Sequence, residues 1–370
     1  MRHLRVLGGD RLVSLVLTPS RLEGCMALLQ PSDWDDIARG VLGLSDAQLG
    51  SVAEDQLATA AVVSAPGAAT VGFPLVDLGF DLYLRRIRTL RAHPIQVKAR
   101  SFLEPDGEFQ ASIMSLYADP KGYVLLPYVP PPDWKLHSHL WAIPIPEFLK
   151  LAKPHGRGYI FSGYLDERFA QSATNQFLID VHQLRRQWLE RIPGWKDPFL
   201  APQFGVTSES EEVPRPASRA FGKYGELWLA SQLMRAGLQN VVIAQDRLRV
   251  DCVDLLLHDL RSFAIGGLAI HTSSLNARGI VQFRIRRSTF FIDPQLLVVI
   301  IPCGNDGEIH DTAFVIPSAD VPEVSTASSD RGDPCYQGSF RLEPLAVKMR
   351  PYAVPMEKLG AAVLDRLFRG

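Results

Sequence analysis

Two stretches of this chain carry the same landmarks at nearly the same spacing, and that coincidence restricts the fold more than any single motif does. Glu54 precedes Asp81 by 27 residues, and Glu226 precedes Asp254 by 28. Lys98 follows Asp81 by 17, and His271 follows Asp254 by 17. Asp119-Pro120 begins 21 residues after Lys98, and Asp293-Pro294 begins 22 after His271. Trp141-Ala142-Ile143-Pro144 in the first stretch is matched by Phe314-Val315-Ile316-Pro317 in the second. Such a pattern predicts a tandem duplication of one α/β unit, each copy a central mixed sheet flanked by helices. The expected boundaries are residues 1–193, an exposed linker at 194–220 rich in Pro, Gly and polar residues, and 221–370. Each copy is expected to have its own core and to pack against the other as a pseudo-two-fold pair.

Local signals fill in the first unit. Residues 3–17 suggest one or two strands around Gly8-Gly9-Asp10, and Asp33–Val41 a short helix. Ser45-Asp46-Ala47-Gln48 is an N-cap with Gln three positions on, which opens a helix over Ser45–Ser64 that carries Glu54. Ala65–Gly72 reads as a small-residue turn region. Strands are expected around Asp77–Ile87, Pro94–Phe102, Phe109–Leu116 and Tyr123–Val129. A short helix at Glu147–Ala152 and a long amphipathic helix at Asp180–Arg191 complete the unit. In the second, a helix at Tyr224–Ala236 carries Glu226, strands follow at Val250–His258 and Gly267–Ser273, and Leu296-Leu297-Val298-Val299-Ile300-Ile301 reads as a buried strand. A last helix spans Met356–Phe368.

The chemistry centres on Ile95-Gln96-Val97-Lys98. Ile95 and Val97 alternate with Gln96 and Lys98, the period of a strand with one polar face. Lysine is depleted from buried positions, so this pair calls for a partner, and Asp81 lies just upstream. A carboxylate, a Gln and a Lys converging on one sheet edge suit metal-assisted cleavage of a phosphodiester. The plainer alternative is a polar strand face turned to water.

A helix with a Glu, a strand ending in Asp, and then a strand with (Asp/Glu/Gln)-x-Lys, here Gln-x-Lys, resembles the PD-(D/E)XK (restriction-endonuclease-like) nuclease superfamily, in its Mrr-type form. Glu54, Asp81, Gln96 and Lys98 fall on that pattern. The resemblance covers roughly residues 45–150 and, more weakly, 220–320. It implies two tandem restriction-endonuclease-like domains and a site for Mg²⁺ (or Mn²⁺), a hard cation that prefers oxygen ligands. Asp81, Glu54 and the backbone carbonyl of Val97 would be its ligands, and Lys98 would orient or deprotonate the attacking water. Gln96 supplies an oxygen but no charge, which weakens metal binding relative to Asp or Glu. In the second copy Ala269 and His271 replace Gln96 and Lys98, leaving Glu226 and Asp254 as a degenerate site.

Arg85, Arg86, Arg88 and Arg100, with Arg91, lie close in sequence to these residues and are candidates for phosphate contacts. Arg278, Arg284, Arg286 and Arg287 occupy a comparable stretch of the second copy. The expected partner is nucleic acid, DNA ahead of RNA, with homo-oligomerisation or membership of a larger defence or repair complex also implied. The alternative function is a catalytically inactive pseudo-nuclease serving as a nucleic-acid-binding or scaffold subunit. His137 and His139 are at strand spacing, but no third ligand is near them in sequence.

Composition sets the limits on these readings. The net charge is −1, so attraction to nucleic acid must come from local patches rather than the whole molecule. No apolar run approaches the roughly 20 residues that span a bilayer, so no membrane partner is expected. Cys25, Cys252, Cys303 and Cys335 show no metal-binding spacing, and free thiols in a cytoplasmic protein are the expectation.

Overall fold

The computed structural model describes residues 2–8, 11–17, 45–65, 68–75, 79–165, 172–192, 216–237, 240–246, 251–276, 278–304, 308–330 and 332–369, with the backbone alone at 2–8, 11–17, 185, 216–222, 224, 237, 246 and 330. The expected helix at Asp33–Val41 and most of the expected linker lie outside these residues. β1 (Arg2–Gly8) and β2 (Arg11–Leu17) form an antiparallel hairpin. Helix α1 (Asp46–Ser64) follows, then β3 (Ala69–Pro74), β4 (Leu82–Arg86), β5 (Ala92–Val97) and β6 (Glu108–Ile113). β7 (Tyr123–Pro127), β8 (His139–Pro144), α2 (Ile145–Leu151), β9 (Lys153–His155) and β10 (Gly158–Tyr164) come next. β11 (Leu178–Asp180) and the single-turn α3 (Leu184–Gln187) end this half.

The second half opens with α4 (Pro216–Gly237), β12 (Val241–Asp246), β13 (Leu255–Asp259), β14 (Ala264–Ser274) and β15 (Ile280–Arg286). β16 (Leu296–Cys303), β17 (Thr312–Pro317), α5 (Val321–Val324), β18 (Thr326–Asp330) and β19 (Asp333–Arg341) follow. β20 (Ala353–Pro355) and α6 (Leu359–Phe368) close the chain.

The fold is mixed α/β, built on one large mixed sheet of twelve strands in the order β11-β8-β7-β5-β4-β3-β12-β13-β14-β16-β17-β20. Its two halves meet where β3 pairs with β12, antiparallel. Reading outward from that seam, either side shows two antiparallel pairings, one parallel pairing (β5–β7 or β14–β16) and two more antiparallel ones. Two three-stranded sheets, β6-β10-β9 and β15-β19-β18, accompany it.

Burial follows the strand period. On β7, Val124 and Leu126 join one core and Tyr123 and Leu125 another. The first core runs through both halves, from Tyr83, Leu90 and Trp141 to Leu256, Ala269 and Phe314. On the opposite face are two separate clusters. Leu57 of α1 packs with Leu84, Leu125 and Trp188, while Leu233 of α4 packs with Leu257, Val299 and Val363. The halves therefore share one core and keep one apiece, where the sequence predicts wholly separate cores.

Local signals explain most elements. Ser45 caps α1 with the expected capping box: its side chain accepts from Gln48 N–H, and the Gln48 side chain accepts from Ser45 N–H. Leu49, Ala53, Leu57 and Ala61 recur every four residues on its buried face. β16 is buried along its whole length, as its unbroken apolar run requires.

Three expectations are corrected. Ala65–Gly72 is in part strand β3, because pairing with β4 and β12 overrides its small residues and glycine. α4 begins at Pro216, inside the expected linker. The predicted long helix at Asp180–Arg191 is three short turns: Asp180 is a strand residue opposite His139, and Trp188 departs from helical geometry with φ −127° and ψ −63°.

Candidate active site

Asp81 sits immediately before β4, opposite the end of β5. Its N–H donates to Ile95 O at 2.8 Å. Its carboxylate then takes the place of a missing strand partner, with Oδ2 accepting from Val97 N–H at 2.6 Å and from Gln96 Nε2 at 2.7 Å. Both strand ends are thus tied to one carboxylate oxygen. Gln96 Oε1 is buried and has no hydrogen-bond partner among the described residues. One residue further, Lys98 N–H continues the ladder to Leu125 O at 2.9 Å, and its exposed side chain has no ion pair or hydrogen bond among the described residues.

Glu54 is half-buried in the middle of α1, beside fully buried Ala53. Glu54, Asp81, Gln96, Val97 and Lys98 all line one cleft of about 340 Å³. The five residues singled out in the sequence are brought together. Three carboxylate residues (Asp46, Glu54 and Asp81), the Gln96 amide and the Val97 backbone line this cleft, although among the described residues no three His, Cys, Asp or Glu side chains are grouped closely enough to hold a metal by themselves.

The arginines are distributed differently from the expectation. β4 and β5 are antiparallel, so the turn joining them lies at the opposite end from Asp81 and Lys98, about 17–20 Å along the strands. Arg86 and Arg88 lie at that far end. Arg85 is only 2% exposed, and its Nη1 and Nη2 each donate to Asp251 at 2.8 Å. It is committed to the fold and unavailable to a phosphate. Arg88 has φ 60° and its N–H donates to the same carboxylate. Of the four, Arg100 alone lines the cleft.

Asp254 in the second half repeats the Asp81 bonds. Its N–H donates to Leu268 O at 2.8 Å, and its Oδ2 accepts from Ile270 N–H at 2.7 Å. Around it the chemistry differs. Ala269 has no polar group, and burial pushes the His271 imidazole down to about 4, neutral at ordinary pH. Glu226 is buried and its Oε2 is held by Gln245 Nε2 at 2.9 Å and Lys223 Nζ at 3.3 Å.

Sequence reasoning missed two features. Phe102 and Met114 line the cleft yet are 56% and 64% exposed. Asp119, noted only as a landmark, is fully buried with Oδ2 3.0 Å from His258 Nε2, while His258 Nδ1 is 3.0 Å from Tyr83 Oη. Burial and the Asp119 charge raise the Tyr83 phenol well above its ordinary range. This chain of buried polar groups links the halves and opens onto no described cleft.

No protein-family model and no curated protein sequence matches this chain. No helix among the described residues is long and apolar enough to cross a membrane.

Proposed function

We propose that the chain is a metal-dependent nuclease of PD-(D/E)XK type with a single working site in its first half. The observation that carries this reading is the convergence of Glu54, Asp81, Gln96 and Lys98 on one cleft. The donor set fits a hard divalent cation, Mg²⁺ or Mn²⁺: Asp81, Glu54, the Val97 carbonyl and Gln96 Oε1, which has no partner among the described residues, all offer oxygens. Bound there, the cation would polarise the scissile phosphate and make its water more acidic.

The protein groups divide the remaining work. Lys98, exposed and making no side-chain bond among the described residues, stabilises charge developing on the phosphate and positions the attacking water. Asp81, fixed by Val97 N–H, keeps its carboxylate aimed across the strand ends. Arg100 holds the adjoining phosphate. With the net charge at −1, these local cations supply the attraction to nucleic acid.

The second half is proposed as a duplicate of the first whose chemistry has been erased, the pair forming two restriction-endonuclease-like units about a pseudo-two-fold axis. The seam supports this: Gly72 lies opposite Asp246 and Pro74 opposite Ala244, with Phe73 opposite Gln245 between them. The matched bonds of Asp81 and Asp254 support it independently. A role within a larger defence or repair assembly is compatible with this arrangement.

A second reading, an inactive nucleic-acid-binding or scaffold subunit, is favoured by one detail. Gln96 presents its amide nitrogen, a donor, to Asp81. The deciding experiment incubates the full chain with DNA and RNA in Mg²⁺ or Mn²⁺, beside Lys98→Ala and Asp81→Asn. Cleavage lost in both variants supports the nuclease. Cleavage that survives both overturns it, and salt-sensitive binding without cleavage selects the second reading.

A further inference from the structure

The rim of the cleft carries groups that phosphodiester chemistry does not need. Phe102 and Met114 expose most of their apolar surface beside Lys98 and Arg100. Arg100 is pre-positioned there: its Nε donates to Gln110 O at 2.7 Å, and its guanidinium carbon lies 5.6 Å from the Phe102 ring centroid. A ring more than half exposed, with one cation over it and a second lining the same cleft, is an arrangement that binds a single nucleic-acid strand: bases stack on aromatic and guanidinium surfaces and the cations follow the phosphates.

The second half sharpens the point. Counting from the strand residue that donates to the Asp, Phe102 is five beyond Val97 and Leu275 is five beyond Ile270. Leu275 is part-buried against the core, and Ser273 and His271 stand at the places of Arg100 and Lys98. Ring and cations are absent together where the Gln-x-Lys chemistry is absent.

We infer that the rim formed by Phe102, Met114 and Arg100 is a stacking platform for an unpaired nucleobase, so that the cleft takes a single-stranded or splayed strand rather than a continuous duplex. This rests on the nuclease reading for the polymer it binds. A base inside a duplex has both faces covered by its neighbours, so an aromatic ring can stack only on one that has left the helix.

The test is fluorescence anisotropy with the full chain in EDTA, so that cutting does not intervene, using labelled single-stranded DNA, single-stranded RNA and duplex DNA of one sequence at fixed salt. Single strands should bind about tenfold more tightly than duplex. Phe102→Ala should weaken single-strand binding by roughly 5- to 100-fold and leave duplex binding unchanged, while Phe102→Tyr retains it. Phe102 is exposed, so the melting temperature should hold; Met114→Ala provides a second exposed position with the same expected direction. Equal affinity for single strand and duplex, or single-strand binding indifferent to Phe102→Ala, overturns the platform. Binding that depends on Phe102 in a chain that never cuts upholds the platform and rejects the nuclease; cutting of duplex that is indifferent to Phe102 does the reverse. The tighter of the DNA and RNA single strands identifies the natural polymer.

Discussion

Arg85 and Asp251 form a two-pronged ion pair at 2.8 Å in which neither side chain is more than 2% exposed. The two residues come from opposite sides of the β3–β12 seam, so the pair ties the halves together through charge. Buried pairs add little relative to an apolar replacement, but breaking one strands a charge in the interior. Arg85→Met or Asp251→Asn should destabilise the chain by about 3–5 kcal/mol, with Asp251→Asn also weakening the acceptor for Arg88 N–H. Denaturant melts check this, and a double replacement that costs less than either single change is the expected sign of a true pair.

Asp81 and Lys98 should separate by their effects on stability. Asp81→Ala removes the acceptor for Val97 N–H and Gln96 Nε2, and should cost about 1–3 kcal/mol. Lys98→Ala removes no described bond and should stay within about 0.5 kcal/mol of the parent chain. Thermal melts beside cleavage assays measure both effects. If Lys98→Ala melts much earlier, the lysine has a structural duty instead.

His271 makes a pH prediction. Its imidazole is near 4 in the folded chain and about 6.5 when unfolded. Above about 6.5 both states are neutral and nothing is lost. As the pH falls from there towards 4 the unfolded chain takes up the proton first, so folding weakens progressively. His93, also lowered mainly by burial, acts in the same direction. Melting temperatures of the parent and His271→Gln between pH 7.5 and 4.5 should diverge, the variant falling less.

Gly360 tests close packing between α6 and α4. A Cβ there would lie 2.6 Å from the backbone oxygen of Gln232, a rigid neighbour. Alanine favours an isolated helix over glycine by about 1 kcal/mol. The clash is the larger effect, about 1–3 kcal/mol, so Gly360→Ala should lower the melting temperature.

Much of the first half was legible because its signals are local. The Ser45 and Gln48 capping box, the Ile95 and Val97 alternation and the Asp81-to-Lys98 spacing each need only a short window. Arg85 was not legible: its partner is 166 residues away, and an arginine destined for burial looks like any other in sequence. Arg86 and Arg88 were misjudged by nearness in sequence, since an antiparallel hairpin carries its turn away from its open ends. β3 was hidden because Thr70 and Val71, which favour strands, are a run of only two between Ala69 and Gly72, which do not. It is made a strand by the neighbours on both sides, β4 and β12.

That seam constrains how the molecule can be divided. Each half contributes one inner strand whose outer row of backbone donors and acceptors is satisfied only by the other half. Cut between the halves, either fragment would carry a bare strand edge together with the uncovered part of the shared core. Such an edge recruits another strand. Residues 1–193 expressed alone should therefore self-associate, β3 against β3, and a gene fragment made to isolate one unit would rebuild a twelve-stranded sheet from two copies of itself.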